Sequence, residues 1–204
     1  MKRNYQTLLV CLTILLIGCG KRNFFPDEDD PGLSRFTSRG YNIATMYINN
    51  VPYINPYKKP LFGGIINITP TINLISTNST FDTLDISWKI EINDSSDSYN
   101  QPYHSISLLM PVSKNFTLHN FLAMSGQRFA SNTNAIALNS FSTYSDTLTG
   151  KSNIYFVNIK YVDSSATSTR SYSLSGLFDG NIGDSILVTK GRFDFSIDAD
   201  KVNF

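Results

Sequence analysis

The sequence predicts an all-β fold, an antiparallel β-sandwich of roughly ten strands, and three observations carry that prediction. Apolar and polar residues alternate with a period of two, clusters of turn-forming residues divide the alternating runs, and no segment beyond the N-terminal leader sustains a 3.6-residue repeat. An up-and-down β-barrel with a ligand cavity is the alternative, because alternation alone suits both architectures.

Taken in order, the chain opens on Lys2 and Arg3, an apolar run from Leu8 to Ile17, and the tetrapeptide Leu16-Ile17-Gly18-Cys19. The apolar run is far short of the ~20 residues a membrane-spanning helix needs. Together these residues resemble a bacterial lipoprotein signal, with residues 1–18 as the leader and Cys19 as the lipidation site. The resemblance implies a lipid anchor at Cys19 and an address in the cell envelope, at the outer membrane, with either face compatible with the sequence. Cys11 falls inside the leader, so the mature chain has no disulfide and is held by its core. Removing Lys2 and Arg3 takes 17 basic residues to 15 against 16 acidic ones, which leaves no basic field for nucleic acid.

Residues 19–40 read as the lipidated cysteine followed by a flexible acidic tether, with Pro26-Asp27-Glu28-Asp29-Asp30-Pro31-Gly32 at its centre. In lipoproteins of Bacteroidota, acids directly after the cysteine act as a surface-export signal, but here Lys21 and Arg22 come first. The same acids are also weighed as a loose calcium site, against the simpler reading of a solvated spacer.

Residues 41–204 read as one all-β domain, of a size that supports a single core. Leu84, Ile86, Trp88, Ile90 and Ile92 alternate with Asp85, Ser87, Lys89, Glu91 and Asn93, so one face of that strand meets a core and the other meets water. Tyr155, Val157, Ile159 and Tyr161 repeat the pattern, as do Tyr172 with Leu174, and Phe193, Phe195 and Ile197. Helix is confined to a turn or two around Leu118 to Met124. Turns are expected at Asn49-Asn50, 93–102, 131–134, 164–168 and 179–184. Pro52, Pro56, Pro60, Pro70 and Pro111 should mark strand ends, bulges or edges.

Tyr47-Ile48-Asn49-Asn50-Val51-Pro52-Tyr53, Gly176-Leu177-Phe178 and Thr189-Lys190-Gly191-Arg192-Phe193-Asp194, together with the leader, resemble the small all-β lipoproteins of unknown function common in Bacteroidota. The chain departs from that group by Asn50-Val51 where glycine-lysine is usual and Tyr53 where tryptophan is usual. The resemblance implies fold and envelope location and carries over no site.

A direct search for chemistry names no catalytic residue, no metal ligand and no cofactor. His104 and His119 each stand alone in sequence, and no glycine-x-serine-x-glycine elbow occurs. Asp85 and Glu91 read as solvated charges on a polar strand face, and Asp194, Asp198 and Asp200 as outward strand positions. The run 179–184 has oxygen ligands without the spacing of a calcium loop, and reads as a hairpin turn. Tyr41, Tyr47, Tyr53, Tyr57, Tyr99, Tyr103 and Tyr144 are weighed as a binding surface against ordinary sheet packing. Asp82-Thr83-Leu84, Asp146-Thr147-Leu148 and Asp184-Ser185-Ile186 resemble the triplet at which envelope proteins of Bacteroidota are O-glycosylated, which makes Thr83, Thr147 and Ser185 candidate acceptors. The function expected is a non-catalytic binding or assembly module, held at the membrane by its lipid, with an envelope protein or a glycan as partner; a glycan- or small-ligand-binding module using surface tyrosines is the alternative.

Overall fold

A computed structural model describes residues 24–55, 70–92, 104–140, 147–164 and 169–204. The fold is all-β. In chain order the strands are β1 (Ile43–Ile48), β2 (Val51–Ile54), β3 (Thr71–Ser76), β4 (Phe81–Ile92), β5 (His104–Ser113), β6 (Arg128–Ser140), β7 (Thr147–Ser164), β8 (Thr169–Ile182), β9 (Ile186–Asp198) and β10 (Val202–Asn203). Among the described residues an α-helix, α1 (Leu118–Ala123), lies between β5 and β6, where the sequence places it.

All ten strands belong to one sheet, ordered β10-β3-β4-β2-β1-β9-β8-β7-β6-β5, and a further pairing of β4 with β5 bends it into a partial ring. Its neighbours are antiparallel except β10 and β3, which run parallel. The ring is unevenly sealed. β4 and β5 pair continuously from Phe81–Ser113 to Ile90–His104, whereas β2 meets β4 only at Tyr53–Ile92 and Ile54–Glu91. Short connections explain the antiparallel order. Asn49 and Asn50 have φ of 49° and 66°, the left-handed pair that a two-residue hairpin of right-handed twist requires, and Ile48 faces Val51 across that turn.

The interior follows the alternation. Leu84, Ile86, Trp88 and Ile90 are buried, as are Phe193, Phe195 and Ile197. The Trp88 indole lies 5.4 Å from the Phe195 ring, 5.6 Å from Phe178 and 6.0 Å from Phe193, so aromatic rings fill the ring's interior at this level. Two glycines make room. Gly176 faces Phe193 and Gly191 faces Phe178 across the β8–β9 pair, and a Cβ on Gly191 would stand 2.6 Å from the Phe178 ring. Each ring therefore lies on the bare backbone of the opposite strand. The Gly-x-Phe spacings in the sequence are thus a packing device.

Bulges interrupt the alternation. In β7, Phe156 and Ile159 are both buried although three residues apart, because the pairing with β8 slips between Phe156 and Asn158. That bulge corrects the expectation of one face carrying Tyr155, Val157, Ile159 and Tyr161: an extra residue moves every side chain after it to the other face. The slipped backbone is caught from the side, where Gly126 N–H donates to Phe156 O at 2.8 Å and Phe156 N–H to Gln127 O at 3.1 Å. Helix α1 brings those residues there and buries Phe121 against Phe204, 5.4 Å between ring centres.

Pro111 behaves as expected of proline in a sheet. It is exposed on β5 beyond Leu108, the last residue at which β5 pairs with β6.

Candidate functional site

The most heavily engineered polar region of the described molecule is a strap, residues 24–41, laid across the outward face of β1 and β9. The tether expected from composition is corrected here, since from Phe24 onward the chain is folded onto the sheet. Leu33 is wholly buried, Ser34 is 1% exposed, and Pro26 and Ser34 form an isolated bridge. Within the loop, Asp29 N–H donates to Asp27 Oδ1 at 3.0 Å, Leu33 N–H to Asp30 O at 3.0 Å, and Arg35 N–H to Phe25 O at 2.7 Å. Such bonds turn the acidic run into a closed loop rather than a spacer.

Five side chains on the sheet receive the strap. Arg192 projects outward from β9 and is almost covered; its guanidinium bonds Asp27 at 2.6 Å, Asp30, and the carbonyl of Ser34 at 3.1 Å. Lys190 also bonds Asp30. The Arg192 hydrogen bond holds the Asp27 carboxyl below its usual range, and the Lys190 hydrogen bond, followed by that of Arg192, does the same for Asp30. Further along, Asp194 is 1% exposed and accepts from the Thr37 hydroxyl and from the backbone N–H groups of Gly40 at 2.6 Å, Arg39 at 3.0 Å and Tyr41 at 3.4 Å. Thr45, fully buried on β1, accepts from Ser34 N–H at 3.3 Å, and the Tyr47 hydroxyl donates to Pro31 O at 2.8 Å.

The outward position expected of Asp194 is correct in direction, since its neighbours Phe193 and Phe195 face the core, but the strap covers it. Asp198 and Asp200 are exposed. The calcium reading of the acidic loop meets cations already in place: Asp27 and Asp30 are occupied by Arg192 and Lys190. The space left beneath the strap, bounded by Ser34, Thr37, Thr45, Arg192 and Asp194, is about 10 Å³, enough for a single water. This junction holds chain to chain and offers no cavity for a substrate.

A second outward face behaves differently. On β4, Asp85 is half-buried, its Oδ1 is buried without a partner, and desolvation pushes its carboxyl above the usual range, with the Ser107 hydroxyl offsetting part of the rise. His104 lies on the same strand as Ser107 but with the parity of the core residues Ile106 and Leu108, so the two point to opposite faces; its Nδ1 is buried without a partner. His119 is exposed on α1. The histidines, Ser107 and Asp85 do not assemble into a nucleophile and base.

The remaining sequence candidates scatter. Cys19 lies outside the described residues, as do Tyr57, Tyr99, Tyr103 and Tyr144. Thr83 is half-buried within β4, its hydroxyl 2.7 Å from that of Thr77, and the preceding Asp82 is 6% exposed and paired with Lys114 at 2.7 Å. Thr147 is exposed at the start of β7 and donates to Asn139 at 2.6 Å. Ser185 is exposed in the turn of the β8–β9 hairpin, which falls at 183–185; of the turn expected at 179–184, residues 179–182 belong to β8 instead. Tyr41 packs on Phe25 with ring centres 5.3 Å apart, and Tyr53 is half-buried with its hydroxyl pushed up by desolvation. Among the described tyrosines, Tyr41, Tyr47 and Tyr53 are thus tied into the strap and the β1–β2 hairpin rather than ranged as an open platform.

Sequence reasoning missed Arg192, Thr45 and the strap-docking role of Asp194. The signal available was weak: Phe24, Phe25 and Leu33 are apolar residues that a solvated tether does not need. Comparison with protein-family models, curated proteins and solved structures finds no match to this chain.

Proposed function

We propose that the protein is a cell-envelope lipoprotein anchored through Cys19, whose all-β domain is a non-catalytic binding or assembly module. The observation that carries this reading is the register of signal and strap: the cysteine that ends Leu16-Ile17-Gly18-Cys19 stands five residues before Phe24, and the strap from Phe25 onward is bonded to the rest of the domain. Cleavage before Cys19 therefore leaves the whole of the described strap in the mature chain. The non-catalytic part is supported by an interior filled with aromatic rings and by polar clusters whose groups are spent on the chain itself. Among the described residues no helix is long and apolar enough to cross a membrane, so attachment in this reading rests on the lipid.

Intact mass of the protein from native membranes tests the anchor. The expected mass is that of residues 19–204 plus acyl groups, and Cys19→Ala should abolish both the acyl mass and retention in the membrane fraction. A chain that keeps residues 1–18, or lacks acyl groups, would defeat the reading. Mass beyond the lipid would report glycosylation, for which Thr147 and Ser185 are exposed acceptors and Thr83 a half-buried one. Crosslinking of the lipidated protein in native cells with a membrane-impermeant reagent then tests the assembly role: a partner captured by wild type and lost on mutation of one surface patch supports it.

A further inference from the structure

The same register carries a second step, which rests on the lipid anchor proposed above. We propose that the strap face of the domain lies on the headgroup layer of the membrane that holds Cys19, with Phe25, Arg35 and Arg39 as its contact residues. The argument is first one of reach. Five Cα–Cα steps separate Cys19 from Phe24, so the anchor lies within about 18 Å of the strap even if that link is fully extended, against roughly 70 Å for a tether running to residue 40. Folding of the strap onto the sheet therefore shortens the leash about fourfold, and it does so on one particular face.

That face has the chemistry of an interfacial surface. Phe25 is 40% exposed with its ring against Tyr41, an apolar body beside a polar handle. Arg35 and Arg39 are exposed nearby on the strap, and Lys21 and Arg22 lie within the link itself. Cations close to an anionic headgroup layer each contribute attraction that fades within a Debye length, so their proximity to the anchor is what gives them effect. The acids that would oppose this are largely disarmed: Asp27 and Asp30 are neutralised by Arg192 and Lys190, and Glu28 pairs with Arg35 at 2.6 Å, which spends the charge of Arg35 and leaves Asp29 against Arg39, Lys21 and Arg22. The opposite side of the ring, around β6, faces away from the bilayer and is left for a partner.

The test uses the full mature chain, lipidated in cells and reconstituted into vesicles of phosphatidylcholine and phosphatidylglycerol. With Cys11 removed and Cys19 acylated, no thiol remains, so single cysteines can be placed at will. Phe25→Cys and Arg39→Cys report the strap face, and Ala130→Cys reports exposed β6, four strands from β1 in either direction round the ring. Each is labelled with an environment-sensitive fluorophore and titrated with headgroup-labelled quencher lipid. Quenching several-fold stronger at residues 25 and 39 than at 130, with a blue shift at 25, is the expected result. Equal quenching at all three, or stronger quenching at 130, overturns the orientation while leaving the anchor intact. An intact mass without acyl groups instead overturns the anchor, and the orientation with it.

Discussion

Two outward faces of one sheet treat the same residue type in opposite ways. On β9 the carboxylate of Asp194 is covered by the strap and receives four donors, while on the neighbouring loop Asp27 and Asp30 are held ionised by Arg192 and Lys190. On β4, Asp85 is withdrawn from water with one oxygen unpartnered, and its carboxyl is pushed up. The two faces differ in what covers them. A second layer that brings its own N–H groups and cations makes a buried carboxylate a fastening, whereas burial that brings one hydroxyl makes it a liability. The β1–β9 face is built to keep a segment in place; the β4 face holds a carboxyl whose ionisation burial opposes.

Removing the fastening should have the largest effect. Asp194→Ala leaves the N–H groups of Arg39, Gly40 and Tyr41 and the Thr37 hydroxyl without their acceptor, and charge-assisted hydrogen bonds of this kind contribute about 1.5–3 kcal/mol each before water restores part of the loss. A net loss of about 3 kcal/mol in denaturant unfolding is expected, with new protease cleavage confined to residues 24–41. Loss of stability without cleavage there would mean that Asp194 supports β9 rather than the strap.

Acid should separate the two faces next. Asp27 and Asp30 have carboxyls lowered from 3.8, so the stability they contribute is complete above that value and is lost as pH falls through it and below. Asp85 is raised from 3.8, so its ionisation costs stability as pH rises above 3.8, and acid relieves that cost. Hydrogen exchange followed downward from neutral pH should therefore show strap amides losing protection before those of β4 and β5. Simultaneous loss in both regions would indicate that the ion pairs are incidental to docking.

A smaller effect of opposite sign is expected at the unfastened carboxyl. Asp85→Asn keeps the shape and removes the charge, so a small gain in stability at neutral pH follows, vanishing in acid. Thermal unfolding of the variant at pH 7 and in acid measures both. A variant destabilised at neutral pH would show that the charge of Asp85 is answered by a partner in solution.

How much of this was readable in the sequence divides along the same line. Period-two alternation identified the inward faces of β4 and β9, and lone signals located α1, the Asn49-Asn50 turn and the β8–β9 hairpin, because each depends on residues a few positions apart. The bulge at residues 156–158 was invisible, since it is set by what β7 pairs with and by the Gly126 and Gln127 backbone beside it. The strap was misread for a related reason. Pro26 to Gly32 has the composition of a linker, and what makes it structure lies some 160 positions away in Lys190, Arg192 and Asp194. Local pattern reports which way a strand residue points; it does not report what will be laid over it.

Lys190 offers the finest test of how the strap is held. It has φ of 51°, in the left-handed region where glycine is at ease, at a bulge where Lys190 and Gly191 together oppose Met46. Lysine there carries backbone strain and contributes one cation to Asp30, on a side chain more than half exposed to water. Lys190→Gly removes both at once. Because relief of strain and loss of a solvent-screened pair oppose each other, the unfolding midpoint should hardly move. The acid response should move more, since the Lys190 hydrogen bond is the leading reason that the Asp30 carboxyl is low, and strap opening should shift upward in pH toward 3.8. A drop in stability as large as that of Asp194→Ala would instead make Lys190 the principal fastening, with its strain the cost of aiming the ammonium at the loop.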